Sequence, residues 1–308
     1  MLIEIDAKSY KNYFPNNPHP FINEQFIDKN NSKVEKVVRL VDQNNKISIG
    51  LVAGVKDLVL KSPFSAPFGG FHFTHEEIST FEIDNFIDSL KSFVIGNGLK
   101  TIELSLPPDI YHPSFNAKMV NALLRNNFIM AIPEITSLVD LQQLTEDFYD
   151  YSTKNKYNKA VRNGLSFSAI SNIEEKRTAY EIIVENRVRN GRSIYMTFDD
   201  LNETGKLWPI DYFRVDDIEE KMVAAAVFYR NHPKIIYATF WGDSQYGRAL
   251  CAMDFLIYKL WEYYKNLGYK YIDLSISTEK GMPNDGLLRF KEIHHATSSL
   301  RHSFTWNS

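Results

Sequence analysis

The chain has 308 residues, 44% hydrophobic and 14% aromatic, which is ample for packed cores in one large or two ordinary domains and excludes a disordered chain. A formal charge of -3 argues against a broad nucleic-acid footprint, which needs clustered positive charge, and the single cysteine, Cys251, excludes an intrachain disulfide or a multi-cysteine metal site. The longest apolar run, 222–229, is too short to span a bilayer, and the N-terminus has neither a basic start nor an export stretch, so the expected location is the cytoplasm.

After an irregular start, strands are predicted at 35–43 and 46–55, joined by the polar turn Asp-Gln-Asn-Asn-Lys at 42–46. Residues 58–73, with Pro63, Pro67 and the adjacent Gly69 and Gly70, read as a shaped loop. A helix follows, with Thr74 as N-cap, Glu77 as capping-box partner and Phe73 against Ile78 as a hydrophobic staple. Its expected stripe is Ile78, Phe81, Phe86, Leu90 and Phe93. A strand at 101–106, a helix at 114–126 and an extended return to about 141 complete one α/β unit. The second half opens with a basic helix at 152–163, then a strand at 165–170 and a helix at 174–190. A hairpin at 222–241 leads through Gly-Asp-Ser-Gln-Tyr-Gly-Arg to a helix from Ala249 to Leu267. There Ala249, Met253, Leu256, Leu260 and Leu267 form the expected buried face, and Asp254, Tyr258, Glu262 and Lys265 the polar one. A short helix around Leu-Leu-Arg-Phe-Lys-Glu-Ile-His-His and one strand, Ser-Ser-Leu-Arg-His-Ser-Phe-Thr-Trp, close the chain. No Gly/Ser linker divides the halves, so a packed boundary is expected near 141–152.

The chain also repeats itself. Gly98, Lys100, Ile102, Leu104 and Ser105 recur at a constant offset as Gly268, Lys270, Ile272, Leu274 and Ser275. In each copy a glycine closes an amphipathic helix and an alternating strand follows. This is either a common helix-to-strand joint used twice or one structural unit used twice. The strand, strand, helix series before each glycine also repeats, and favours the second.

The order strand, strand, loop, helix, strand, helix, strand, occurring twice, resembles the tandem GNAT-type domains of FemABX-type peptidyltransferases and their acyltransferase relatives. The hairpin, the long helix ending in Leu-Gly-Tyr, the strand Tyr-Ile-Asp-Leu-Ser and the later Gly-Leu-Leu-Arg-Phe-Lys-Glu-Ile-His-His are similar to that family's second domain. The stretch Ser-Pro-Phe-Ser-Ala-Pro-Phe-Gly-Gly-Phe resembles a FemAB-like subgroup. The resemblance implies an α/β fold (α+β, mixed sheet) of two GNAT-like acyltransferase domains, 1–145 and 146–308. It also implies an acyltransferase that moves an acyl group to an amine of a small or cell-envelope precursor.

GNAT enzymes hold the acyl-CoA pyrophosphate on a loop of pattern Arg/Gln-x-x-Gly-x-Gly/Ala, where orphan amides and the helix dipole attract phosphate. Gly247 and Ala249 match it; Ser244 stands where Arg or Gln is expected and Gln245 lies one place late, so Ser244, Gln245, Gly247, Arg248 and Ala249 form the expected acyl-CoA (acetyl-CoA) loop. Acyl-CoA would be a co-substrate and not a permanently bound group. The alternatives are a tRNA-dependent aminoacyltransferase on the same fold, and a non-catalytic binding protein that kept the fold. No heptad pattern indicates the coiled-coil insertion that some relatives carry.

Transfer to an amine needs a proton acceptor and an oxyanion donor. Asp273, opposite Ile272 and Leu274 by strand alternation, is the first candidate carboxylate; its other reading is a structural group at a strand end. His72 flanks the proline-rich loop and is expected to titrate near neutrality, with His75 beside it. Lys154, Lys156, Lys159 and Arg162 on the basic helix are expected to meet an anionic part of the substrate, or else to form a solvated face. Arg187, Arg189 and Arg192 form a second cluster at a helix end, where cations also suit the dipole. Glu279 and Lys280 are loop residues after the Asp273 strand. Adjacent His294 and His295 point different ways on a helix, and no metal is expected.

Overall fold

The computed structural model describes residues 1–16, 19–43, 47–145 and 147–308. The chain forms two compact units: Met1–Thr136 with Thr278–Met282 and Ser299–Ser308, and Ser137–Ser277 with Pro283–Ser298. Residues 44–46, where the first turn is expected, lie outside the described residues.

The elements run β1 Leu2–Glu4, α1 Ala7–Tyr13, α2 Glu24–Asn30, β2 Lys36–Asp42, β3 Ile49–Lys56, β4 Val59–Ser62, β5 Phe71–Phe73, α3 Thr80–Gly96, β6 Thr101–Ser105, α4 Pro113–Arg125 and β7 Ile129–Met130. They continue with β8 Glu134–Asp140, α5 Tyr151–Arg162, β9 Ser166–Ile170, α6 Ile173–Arg189, α7 Phe198–Thr204, β10 Ile210–Asp216, β11 Met222–Tyr229, β12 Ile235–Asp243, α8 Gln245–Ala249 and α9 Ala252–Asn266. The last are β13 Tyr271–Ile276, β14 Thr278–Glu279, β15 Met282–Pro283, α10 Asp285–Glu292, β16 Thr297–Arg301 and β17 Ser303–Asn307.

The first sheet has the order β1-β2-β3-β4-β6-β17-β7, with β5 beside β3. Its antiparallel run switches to parallel at β4 and β6, where Leu60 faces Ile102. The second sheet, β16-β8-β13-β12-β11-β10-β9, makes the same switch at β12 and β13, where Ile236 faces Ile272. Gly98 and Gly268, at φ 69° and 83°, lead into these parallel strands. Both sit in the left-handed region that a residue without a Cβ occupies cheaply. The repeated sequence thus encodes the same joint twice, at the same place in two sheets.

Three expected boundaries move. The cap of α3 is Ser79, in a full capping box with Glu82, and not Thr74. Both pairs fit the Ser/Thr-x-x-Glu pattern, but the Thr74 amide donates to the Ser48 carbonyl at 3.0 Å, which ties Thr74 to the end of β5, and only a turn follows at Glu76–Glu77. The buried face is consequently Ile83, Phe86, Ile87, Leu90 and Val94, and Phe81 is exposed. Each fully buried aliphatic or aromatic side chain there contributes about 1.5–3 kcal/mol.

The long helix expected from Ala249 is broken: α8 ends, Cys251 takes a left-handed φ of 61°, and α9 starts after it. The break rotates the buried face, so Asp254 is buried and Leu267 exposed, the reverse of the expectation. The single C-terminal strand is in fact two. β17 pairs with β6 from Ser303↔Ser105 to Asn307↔Thr101, while β16 belongs to the other sheet. Ser303–Asn307, which sequence order puts in the second half, therefore pair in the first sheet.

No described helix is long and apolar enough to cross a membrane.

Candidate functional site

The parallel pair β12–β13 is where the second unit departs from regular structure. Its recorded register is Ile235↔Tyr271, Ile236↔Ile272 and Tyr237↔Asp273, after which the strands part. Two local features make them part. On β12, the register with β11 slips between Val227↔Phe240 and Phe228↔Ala238, so Thr239 is the extra residue of a bulge, which bends its strand. On β13, the Asp273 Oδ1 accepts the Ser275 amide at 2.8 Å, an Asx turn, and Ser275 takes a left-handed φ of 60°.

The bend frees backbone carbonyls that the ladder would have used. Lys291 on α10 takes them up: its Nζ donates to the Ser275 carbonyl at 2.8 Å and the Ile276 carbonyl at 3.1 Å. Lys291 is only 2% exposed and Asp273 only 1%. Burial pushes the Lys291 ammonium down to about 7, against the opposing pull of the Asp273 charge, and the Arg192 charge pushes it down further. An ammonium has three donors; among the described residues two are used, which leaves one N–H for a ligand. A buried lysine titrating near neutrality beside a carboxylate is a functional-site signature.

Lys291 is a site residue that pattern reading missed. The signal was present: Leu287, Leu288 and Lys291 share one face of α10 at helical spacing, and a lysine in an apolar stripe is unusual.

The arginines add positive charge. At the end of α6, Gly191 has φ 67°, its amide donates to the Val188 carbonyl at 3.0 Å, and the Arg192 amide donates to the Arg187 carbonyl at 2.8 Å. This is a Schellman motif, which brings the residues at the Arg187 and Arg192 positions together and ordinarily fills both with apolar side chains. Here both are cations, and burial, with the Arg192 charge added to it, holds the Arg187 pKa below its usual value. Among the described residues neither has a carboxylate partner. The Arg187 guanidinium lies 5.2 Å from the centre of the Phe240 ring, next to the bulge. Arg189 is different, since it is tied to Asp243 at 2.7 Å.

The expected phosphate loop begins at Ser244, which works as a helix cap: its Oγ accepts the Gly247 amide at 3.0 Å and its carbonyl the Arg248 amide at 3.0 Å. A serine rather than Arg or Gln is what a cap requires. Gly247 is buried against β11, and Gln245, Tyr246, Arg248 and Ala249 are exposed. The Gln245 and Tyr246 amides donate to no group among the described residues, so two amides and the Arg248 guanidinium suit a phosphate.

On α5, Lys156 reaches Asp254 at 3.9 Å, while Lys154, Lys159 and Arg162 are exposed without an acidic partner among the described residues. His294 is buried and faces Asp254 at 3.4 Å. Among the described residues no group of three or more His, Cys, Asp or Glu is arranged to hold a metal.

His72 lies in the first unit, 2% exposed, with its Nδ1 3.0 Å from the Tyr10 hydroxyl and its ring edge-on to Tyr10. Burial drives its pKa down to about 3, so it stays neutral at physiological pH, against the expectation that it titrates near neutrality. The unfolded chain takes a proton below about pH 6.5, whereas the folded one resists until about 3, so the stability this group contributes is full above 6.5 and lost as pH falls towards 3. His72→Gln should flatten the loss of urea midpoint between pH 7 and pH 4; an unchanged slope would show that other groups govern acid unfolding. His75 is exposed, 3.6 Å from Glu77.

No protein-family model and no curated protein matches this sequence. Solved structures do resemble it. FemX superposes with a TM-score of 0.71 over 100% of this chain and 97% of that one, at 11% identity. L-PGS from Bacillus licheniformis gives 0.58 over 98% and 92%, at 12% identity. A tandem GNAT protein from the clavulanic acid biosynthesis pathway gives 0.55 over 100% and 98%, at 9% identity. The chain therefore has an α/β fold of the GNAT acyltransferase type. It has that fold in its tandem, FemX-like form.

Proposed function

We propose that the protein is an N-acyltransferase that moves an acyl or aminoacyl group to the amine of an acceptor carrying phosphate or carboxylate, such as an amino sugar or peptide precursor of the cell envelope. The observation that carries this reading is Lys291, buried beside Asp273 where β12 and β13 part. Its remaining N–H stabilises the oxyanion that forms when the amine attacks the acyl carbonyl, a contribution that is large where water is excluded. Arg187 and Arg192 neutralise the anionic group of the acceptor, and Asp273 holds the bend that aims the carbonyls at Lys291.

The preferred donor is acyl-CoA, a co-substrate that would bring the activated thioester. The Gln245 and Tyr246 amides and Arg248 would hold its diphosphate. Lys154, Lys159 and Arg162, exposed and free of carboxylate partners among the described residues, favour a second donor, charged tRNA. Assays of transfer from acetyl-CoA and from aminoacyl-tRNA to a panel of phosphorylated amino sugars and peptides decide between them. Inertness with both donors would remove the transferase reading and leave a binding protein.

The anion site has its own test. Inorganic pyrophosphate at about 100 times its dissociation constant should add roughly 2.7 kcal/mol of stability. The corresponding rise in Tm should shrink in the double variant Arg187→Ala/Arg192→Ala and disappear when Arg248→Ala is added; a rise unchanged by the double variant places the anion away from Arg187 and Arg192.

A further inference from the structure

The bend of β13 contains a residue to which the mechanism above gives no chemistry. Ser275 holds a left-handed φ of 60°, a region that costs a side-chain-bearing residue free energy and that glycine enters freely. Its amide is bonded to Asp273 and its carbonyl to Lys291, and glycine would supply both groups equally well. What serine adds is the hydroxyl. That Oγ lies 3.3 Å from the Tyr237 hydroxyl, which donates to it. Tyr237 is the register partner of Asp273 and the last paired residue of β12 before the strands part. With Tyr237 as donor, the hydrogen of the Ser275 hydroxyl has no acceptor among the described residues, on a half-buried side chain beside Lys291. Strain that local hydrogen bonding does not require is found where a side chain has a task.

We propose that Ser275 is a catalytic residue, the second hydrogen-bond donor to the acyl carbonyl oxygen, and that Tyr237 is the residue that positions it. This rests on the acyl-transfer reading. As the acceptor nitrogen forms its bond to the acyl carbon, the carbonyl pair moves onto oxygen, where the Ser275 Oγ–H and the Lys291 N–H hold it. The pair returns as the bond to the thiol or ribose oxygen of the donor breaks, and the proton lost by the acceptor amine goes, directly or through water, to that leaving group. Ser275 keeps its own proton throughout, so no covalent enzyme intermediate forms.

The test uses the full chain with Ser275→Gly, Ser275→Ala, Tyr237→Phe and the double variant Ser275→Ala/Tyr237→Phe. Ser275→Gly relieves the strain and should melt no lower than wild type, and up to about 4 °C higher. Its kcat should nevertheless fall roughly 10- to 100-fold, with KM for the acceptor unchanged. Tyr237→Phe should slow kcat less, and the double variant should be no slower than Ser275→Ala alone, because the tyrosine acts through the serine. A glycine variant that melts several degrees lower, or one that turns over as fast as wild type, overturns the proposal. A wild-type chain inert with both donors sinks the transferase reading and this proposal together; an active wild type with an equally active glycine variant sinks this one alone.

Discussion

Lys291→Met should reduce transfer by about 100-fold or more, equivalent to roughly 2.7 kcal/mol of transition-state stabilisation. It should also destabilise the fold, because Asp273 would remain buried without its cation and the Ser275 and Ile276 carbonyls without their donor. Two further variants separate chemistry from folding. Lys291→Arg keeps a charge that does not titrate, and Asp273→Asn keeps an acceptor for the Ser275 amide while removing the carboxylate.

The pH dependence gives the sign. With a folded pKa of about 7, the ammonium is complete below that pH and lost above it, so kcat should fall on an alkaline limb near 7. That limb should vanish in Lys291→Arg and move to lower pH in Asp273→Asn, where the attraction of the carboxylate is gone. Stability should change in the opposite sense. Between pH 7 and about 10.4 the unfolded chain holds a proton that folded Lys291 has released, so this residue's contribution to stability rises with pH across that window. A pH–rate profile without a limb near 7 would remove Lys291 from the reaction.

Gly247→Ala should be among the most destabilising single substitutions in the second unit. A Cβ at Gly247 would fall far inside the contact distance of the Val223 carbonyl oxygen, a backbone atom of β11. That oxygen also accepts the Ser244 amide at 2.9 Å, so it has no freedom to retreat. We expect a loss of about 3 kcal/mol or more and a fall in Tm of roughly 6–12 °C. Gly268→Ala is the comparison: nothing among the described residues lies within 4 Å of its Cβ position, and only the left-handed φ of 83° is penalised, about 1 kcal/mol. Equal melting of the two variants would show that close packing at Gly247 is not what requires glycine. The glycine expected to approach a phosphate is thus also required for docking α8 on its sheet, and substitutions there report on folding before they report on ligand.

The parts of this molecule legible in the sequence are those decided within a few residues. The glycine-closed helices and alternating strands at 98–106 and 268–276, the cap-and-stop pattern of the basic helix and the hairpin at 222–241 all depend on local backbone preference and hydrophobic period. Their repetition marked one unit used twice, and the element order then supported the resemblance to tandem GNAT-type domains. Choices between equivalent local patterns were not legible: Thr74 and Ser79 each begin a capping box, and only the hydrogen bond to Ser48 on the neighbouring chain segment decides for Ser79.

The site shows the same division. Strand alternation and position marked Asp273 as a candidate carboxylate for proton transfer, but its burial and its bond to the Ser275 amide, which makes β13 turn away, were not legible. His72 looked available for proton transfer because sequence does not report burial. Lys291 sits in the apolar stripe of a short helix and was not singled out, and Arg187 and Arg192 read as ordinary cations at a helix end. Only the tertiary structure brings α10 over the carbonyls that the bend sets free and places a charge there without water. Sequence period fixes which residues share a face; what that face meets depends on chain segments far away, and the solvation of a charge depends on what it meets.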